Sequence, residues 1–220
     1  MNAARTPEEL TRWIERLYAD PQMLRMGHHQ RAADLNLGLG WIYYGLTRLL
    51  RPASVVVIGS WRGFVPLVIA RAQRDNGGDG RVTFIDPSLV DDFWTDAGRT
   101  RDYFAGHGAG NICHYPLTTQ QFTATGDYRA LSGVGLLFID GYHTAAQARF
   151  DYEAFAGRLS ADALVMFHDS VGTRQSTLYG PDQAYDVDVS NYIAGLRQHP
   201  ELQLLDLPFG AGLTLLRRTV

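Results

Sequence analysis

Two short segments combine carboxylate and imidazole side chains, and each follows a run of apolar residues. Asp140 and His143 lie in the first segment, and His168, Asp169 and Ser170 form the second. Carboxylates and imidazoles brought together can bind a divalent cation or form an acid–base set that moves a proton. The structural alternatives are that Asp169 or Ser170 caps a turn and that His143 is a partly buried hydrogen-bonding group.

A glycine-containing turn is the second candidate site. Gly59, Ser60, Trp61 and Gly63 directly follow the apolar run Val55–Ile58 and precede a segment of helical length. Glycine lets the backbone turn tightly and approach a ligand with no Cβ in the way, and free N–H groups at a helix start suit a carboxylate. The Gly-x-x-x-Gly spacing differs from the Gly-x-Gly-x-x-Gly of dinucleotide enzymes. A turn that binds no ligand is the alternative.

Asp86 closes the second apolar run and is the third candidate. It lies about 20 residues past Gly63, which is the spacing at which an acidic residue binds a nucleotide ribose in related sites. A carboxylate in this place can accept hydrogen bonds from both ribose hydroxyls of an adenosine. The alternative is a helix N-cap followed by Pro87.

The elements that must position these residues alternate along the chain. Apolar runs typical of strands buried on both faces lie at Val55–Ile58, Val82–Ile85, Leu136–Ile139 and Leu164–Phe167, with a weaker one at 112–117. Helices are predicted at about 63–75, 91–106, 118–125, 144–158 and 187–198. This alternation predicts right-handed βαβ units and a doubly wound, mostly parallel sheet. The carboxyl ends of parallel strands share one edge, so all three candidate segments are expected to meet there.

The two ends of the chain differ from this pattern. Leucine-rich runs on either side of a glycine-rich turn at 208–212 predict an antiparallel hairpin. Before residue 50 we expect two helices, one starting with Thr6 as its cap and one covering Arg31 to Leu50. The prediction is a single domain over 1–220, with a helical cap (1–50) and an α/β Rossmann-like core (51–220) built on a seven-stranded sheet.

Composition narrows the classes of partner. The net charge is −3 and the longest basic run is Arg217-Arg218, which argues against nucleic acid as the main ligand. No apolar run approaches the roughly 20 residues of a membrane span, and the N-terminus lacks the apolar core of a signal peptide. We therefore expect a cytoplasmic protein with a small-molecule substrate and no membrane partner. The amphipathic N-terminal helices also allow a homodimer.

The motifs together resemble those of class I S-adenosylmethionine (SAM)-dependent methyltransferases over roughly residues 50 to 220. The most similar branch contains macrocin O-methyltransferase-like and cephalosporin hydroxylase-like sequences, and its specific features here are Asp-Gly-x-His at 140–143 and Phe-His-Asp-Ser at 167–170. The resemblance implies O-methylation of a small secondary-metabolite or sugar-like acceptor, with Asp140 and His143 as catalytic residues. It also implies a SAM site made by Gly59, Ser60, Trp61, Gly63, Asp86 and Asp140.

Several members of that group use Mg²⁺, and the resemblance places a cation on Asp140, His168 and Asp169. Two positions depart from the pattern. Val57 stands where the family usually has an acidic residue, and His168 offers a nitrogen where Mg²⁺ prefers oxygen. Mn²⁺ or Fe²⁺ would tolerate that nitrogen better. Without a metal, His143 or His168 would act directly as the base.

Three other functions stay open at the level of sequence. They are an NAD(P)-dependent oxidoreductase, a non-catalytic methyltransferase-like binding protein, and a hydroxylase with iron and oxygen chemistry at the same strand ends. The predicted terminal hairpin and the glycine spacing favour methyl transfer over the oxidoreductase. The acceptor is expected between the N-terminal helices and the polar segment Val171–Asp188, which carries Arg174, Tyr179 and Tyr185.

Overall fold

A computed structural model describes residues 7–25 and 27–219, so the predicted cap at Thr6 lies outside the described residues. The helices are α1 (Pro7–Tyr18), α2 (Gly40–Leu50), α3 (Phe64–Asp75), α4 (Ala97–Gly106), α5 (Thr119–Thr123), α6 (Gly126–Ala130), α7 (Ala145–Ala156) and α8 (Val189–Leu196), with a 3₁₀ turn at Pro21–Arg25. The strands are β1 (Ser54–Ile58), β2 (Arg81–Ile85), β3 (Ile112–Tyr115), β4 (Val134–Ile139), β5 (Leu159–His168), β6 (Arg174–Ser176), β7 (Tyr185–Val187), β8 (Leu202–Leu207) and β9 (Leu213–Arg218). None of these helices is long and apolar enough to cross a bilayer.

Seven strands form one sheet in the order β3-β2-β1-β4-β5-β9-β8. The first five are parallel, and β9 runs antiparallel to both β5 and β8. The predicted fold class, including the closing hairpin, is confirmed. The strand order reverses direction between β1 and β4, which is where open α/β sheets bind ligands.

The strand register aligns the candidate segments at one edge. Ile58, the last residue of β1, pairs with Ile85 of β2 and with Ile139 of β4, and Ile139 pairs with Phe167 of β5. These four paired residues lie at the same level of the sheet. The residue that follows each of them is a predicted site residue, namely Gly59, Asp86, Asp140 and His168.

Apolar clusters cover both faces of the sheet. Val55 and Val57 of β1 pack into the cluster that includes α1, α2 and α3, whereas Val56 and Ile58 pack into the cluster that includes α7 and α8. Successive strand side chains point to opposite faces, so a strand covered on both sides must be apolar at every position. This is why the continuous apolar runs predicted the buried strands.

The predicted helix from Arg31 to Leu50 was wrong in its first part. Helix α2 begins only at Gly40, and residues 27–39 form a loop closed by backbone pairing of Arg31 with Asn36. Gly38 has φ 59°, and a Cβ there would lie 2.0 Å from the carbonyl oxygen of His28. The close crossing of two backbones, which helical periodicity does not reveal, decides the conformation of this loop.

Two further elements differ from the sequence expectation. Helix α4 begins at Ala97 rather than near residue 91, because the Asp96 side chain accepts a hydrogen bond from the Arg99 N–H and caps the helix there. The polar segment after β5 contains the antiparallel hairpin of β6 and β7, which was not predicted. Its strands have three residues each, too few to show an alternating pattern.

Candidate active site

A cavity of about 470 Å³ opens along the carboxyl edge of the parallel strands. Every predicted site residue except Gly63 lines it, namely Gly59, Ser60, Trp61, Asp86, Asp140, His143, His168 and Asp169. The segments singled out from the sequence therefore meet at one cavity. Its volume lies within the range of about 300–1,000 Å³ typical of small-ligand sites.

Gly59 holds the loops after β1 and β4 in direct contact. Its φ is 72°, and a Cβ on it would lie 2.1 Å from the carbonyl oxygen of Asp140. The Gly59 N–H donates to the Ile85 carbonyl, and the Asp140 N–H donates to the Ile58 carbonyl, both at 2.8 Å. Only glycine is compatible with this backbone and this separation, so Gly59 fixes the position of Asp140.

In the rest of the glycine turn, Ser60 and Trp61 line the cavity and Gly63 does not. The buried Ser60 hydroxyl accepts the Val65 N–H at 3.2 Å, which satisfies a donor in the first turn of α3. The Trp61 indole N–H donates to Asp91 at 3.2 Å. Gly63 has φ 79°, and a Cβ there would lie 3.2 Å from the Trp94 ring. Gly63 thus shapes the turn against Trp94, away from the cavity surface.

Asp86 is a buried carboxylate that faces the cavity. One of its oxygens accepts the Ser60 N–H at 3.1 Å and the other accepts the Ser88 N–H at 2.8 Å. Burial raises its pKa to about 6, although these backbone hydrogen bonds oppose the shift. The helix N-cap alternative was wrong, because the next helix starts only at Ala97. Each carboxylate oxygen has a further lone pair for a ligand hydroxyl.

The loops after β4 and β5 bring two carboxylates and two imidazoles together. His168 Nδ1 lies 2.9 Å from Asp140 Oδ1, within hydrogen-bond distance. His143 Nδ1 lies 3.8 Å from Asp140 Oδ1 and 3.7 Å from Asp169 Oδ2. His143 is therefore placed between two carboxylates without a short hydrogen bond to either, and it reaches the cavity.

Arg174 and His168 lie against the two carboxylates. The guanidinium of Arg174, on β6, donates to Asp169 Oδ2. Burial lowers the pKa of His168, but the neighbouring Asp140 and Asp169 carboxylates outweigh burial and raise it overall. Arg174 was expected only in the acceptor segment, and its pairing with Asp169 was not predicted.

The predicted cation is not supported by this donor set. Mg²⁺ takes oxygen ligands in octahedral geometry, and here Asp140 and Asp169 are already hydrogen-bonded to His168 and Arg174. Within residues 7–25 and 27–219, no group of three His, Cys, Asp or Glu side chains is arranged to hold a metal ion. Asp140, His168 and Asp169 do lie together as predicted, but they form a hydrogen-bonded cluster that also includes Arg174.

One buried acid at this site was missed from the sequence. Asp151, on α7, is 1% exposed and accepts a hydrogen bond from Gln147 at 2.7 Å, and burial raises its pKa to about 6. It shares the buried face of α7 with Ala148 and Tyr152, so an acid on an apolar helical face was the available signal. His28, in the loop at 27–39, is also buried, and its Nε2 lies 3.9 Å from Asp140 Oδ2.

Three tyrosines form an aromatic wall beside the cavity. The Tyr142 ring stacks on Tyr185 and Tyr179 with centroid separations of 4.5 and 5.2 Å. Tyr142 and Tyr179 line the cavity. The Tyr142 side chain follows β4, whereas the other two belong to the segment after β5, so the wall joins the site to that segment.

Residues 56–170, just over half of the 220-residue chain, match a family model described as a methyltransferase domain. The chain belongs to this methyltransferase family. The match begins in β1 and ends after β5, and so contains the segments that converge on the cavity. A search of the curated proteins found no match to this methyltransferase.

Solved structures share the fold of this methyltransferase over nearly its whole length. The O-methyltransferase TomG of Streptomyces achromogenes, solved with SAM, has a TM-score of 0.62 and 16% identity, covering 100% of this chain and 93% of that one. An O-methyltransferase of Bacillus cereus, solved with S-adenosylhomocysteine (SAH), has a TM-score of 0.65 and 11% identity, covering 94% and 91%. The SAH-bound methyltransferase PaMTH1 of Podospora anserina has a TM-score of 0.59 and 18% identity, covering 100% and 91%.

Proposed function

We propose that this methyltransferase binds SAM at the carboxyl edge of its sheet and transfers the methyl group to a hydroxyl of a small molecule. The observation that carries the proposal is the single cavity that Gly59 and Asp86 share with Asp140, His143 and Asp169. One half of this cavity suits an adenosyl ligand and the other half holds groups able to move a proton. The SAM and SAH complexes of the similar structures named above support the same placement.

The residues present fit SAM. Asp86 lies at the end of β2 with free acceptor capacity, which suits the two ribose hydroxyls. Gly59, Ser60 and Trp61 line the cavity just before α3, so the methionine moiety is proposed to lie along this turn. Val57 lies within β1 and is fully buried, so it makes no contact with the ligand. The reactive methyl group would then face the ends of β4 and β5.

Bound SAM supplies a sulfonium methyl group, which the acceptor oxygen takes by in-line displacement as SAH is released. The chain must orient the acceptor hydroxyl and remove its proton. His143 is the proposed base, because its imidazole reaches the cavity. Asp140 and Asp169, with oxygens 3.8 and 3.7 Å from Nδ1, stabilise the imidazolium that forms. No step in this scheme uses a cation.

The acceptor is proposed to lie between this cluster and the aromatic wall. Tyr142 is 39% exposed, so a ring face remains available at the cavity mouth. Arg174 also lines the cavity and is only partly covered. A small acceptor held here would present its hydroxyl to His143. The cytoplasmic location and the homodimer stay predictions.

The oxidoreductase alternative has no observation in its favour, because the sheet closes with an antiparallel hairpin and the family match is to methyltransferases.

An experiment distinguishes methyl transfer from the non-catalytic alternative. Chelator-treated protein is titrated by calorimetry with SAM, SAH and NAD⁺, and methyl-labelled SAM is then supplied with panels of phenols, sugars and carboxylic acids. We expect binding of SAM and SAH only, and label transfer to a hydroxyl. Binding without transfer to any acceptor would favour the non-catalytic function, and binding of NAD⁺ alone would refute the proposal.

A further inference from the structure

His28 is a buried histidine that neither the sequence motifs nor the family match includes. It is 0% exposed and lies beneath the site in the loop at 27–39. The backbone holds it firmly, since its N–H donates to the Gln30 side chain at 3.0 Å and its carbonyl accepts the Leu39 N–H at 2.8 Å. Its ring stacks on Phe64 at 5.2 Å with an interplanar angle of 19°. The imidazole therefore has a fixed position and a fixed plane.

The two ring nitrogens of His28 face different groups. Nδ1 lies 3.1 Å from the hydroxyl of Tyr43, which is also buried. Nε2 lies 3.9 Å from Asp140 Oδ2 and has no hydrogen-bond partner among the described residues. A lone pair directed at a carboxylate is repelled, whereas a proton there is attracted. The arrangement thus favours the tautomer in which Tyr43 donates to Nδ1 and the proton lies on Nε2.

The surroundings of His28 favour its neutral form. Burial lowers its pKa well below the usual value, and the neighbouring imidazoles of His168, His143 and His29 lower it further. A neutral imidazole whose Nδ1 accepts from a tyrosine has its proton on the other nitrogen. Tyr43 therefore sets which nitrogen of His28 faces Asp140.

Asp140 consequently has one histidine beside each oxygen. His168 is hydrogen-bonded to Oδ1 at 2.9 Å, and His28 faces Oδ2. A shift of about 1 Å would bring His28 Nε2 into hydrogen-bond distance. We propose that His28, with its tautomer set by Tyr43, is a positioning residue that donates toward Asp140 and holds this carboxylate in place beneath His143. The N-terminal segment is then part of the catalytic arrangement and not only a cover. This inference rests on the proposed function, in which Asp140 supports the base.

The tautomer can be measured without any acceptor. Imidazole ¹⁵N–¹H spectra of the full-length protein should show His28 as a neutral Nε2–H tautomer between pH 6 and 8. Tyr43→Phe preserves the buried ring and removes only the hydroxyl, so it should shift the ¹⁵N signals of His28 toward mixed tautomers. A protonated His28, or an Nδ1–H tautomer in the wild type, would overturn the proposal.

Kinetics test the positioning role. His28→Gln keeps an amide N–H able to donate to Asp140, and His28→Leu is its matched apolar control. We expect His28→Leu to lower kcat about 10- to 100-fold, as displacement of a catalytic group by about 1 Å does. The Kd for SAM should be unchanged and His28→Gln should recover most of the rate. Adding Tyr43→Phe to His28→Leu should cause no further loss, because the hydroxyl acts through the imidazole.

The outcomes separate this proposal from the proposed function. If His28→Gln and His28→Leu lose kcat equally, and in proportion to their drop in Tm, then His28 only packs. That result would overturn the positioning role. The positioning role would also be overturned if the losses of kcat caused by Tyr43→Phe and by His28→Leu multiply in the double variant. Failure of SAM to bind the wild-type protein would refute the proposed function alone, since the tautomer of His28 remains measurable in the ligand-free protein.

Discussion

The role of Asp86 gives a quantitative prediction for SAM binding. A hydrogen bond to an ionised group contributes about 1.5–3 kcal/mol, and 1.4 kcal/mol corresponds to about a tenfold change in Kd. Asp86→Asn removes the charge but retains the shape and one acceptor oxygen. We therefore expect this variant to bind SAM about 10- to 100-fold more weakly than the wild type at pH 7.5, measured by calorimetry.

The pH dependence follows from the same carboxylate. Its pKa in the ligand-free protein is raised to about 6 by burial, and in the proposed complex the ribose hydroxyls would donate to its ionised form. If only the ionised form binds, the Kd for SAM should increase about tenfold between pH 7 and pH 5, because the ionised fraction falls by that factor. The Asn variant should lack this pH step. His143→Gln, which changes another titratable group in the cavity, should retain it and is the matched control.

Two results would refute this reasoning. A wild-type Kd that stays flat between pH 5 and 7 would mean that Asp86 is already ionised at pH 5 or does not bind the ligand. A pH step of the same size in Asp86→Asn would assign the titration to another group. A weaker Kd that is matched by a fall in Tm of the ligand-free variant would indicate damage to the Ser60 and Ser88 contacts instead.

Four further predictions concern the same site. His143→Gln should lower kcat about 10²- to 10⁴-fold with little change in the Kd for SAM; an unchanged kcat would exclude His143 as the base. Gly59→Ala should prevent SAM binding and lower Tm, because its Cβ would lie 2.1 Å from the Asp140 carbonyl oxygen, whereas Gly45→Ala, with nothing within 4 Å of the added Cβ, should leave both unchanged or raise Tm slightly. Removal of divalent cations with a chelator should leave turnover unchanged, and a loss restored by added Mg²⁺ would contradict our assignment of the Asp140 cluster. Burial raises the pKa of Asp151 to about 6, so the folded protein binds the Asp151 proton more tightly than the unfolded chain does, and the stability that this proton contributes is lost as pH rises from about 4 to 6. The free energy of unfolding of Asp151→Asn, relative to that of the wild type, should therefore increase by about 2–3 kcal/mol over that interval. A difference that does not depend on pH would refute the shift.

The sheet and its ligand-binding edge could be predicted because their signals are local. Each parallel strand is a continuous apolar run, and the residue that follows it must lie at the carboxyl edge whatever the rest of the chain does. Gly59, Asp86, Asp140 and His168 were located in this way. The loop at 27–39 could not be predicted, because its conformation depends on the crossing of Gly38 over the His28 carbonyl. Apolar periodicity continued through that crossing and indicated a helix.

The metal site shows why residue types alone did not determine the chemistry. Asp140, His168 and Asp169 have the composition of a cation site, and the sequence places them correctly beside one another. Their surroundings include partners outside the motif, Arg174 on the short hairpin that follows it and His28 in the N-terminal loop. Arg174 and His168 hold oxygens of Asp169 and Asp140 by directional hydrogen bonds, which a divalent cation would have to replace. We expect such a cluster to orient and stabilise a protonated His143, as the proposed methyl transfer to oxygen requires.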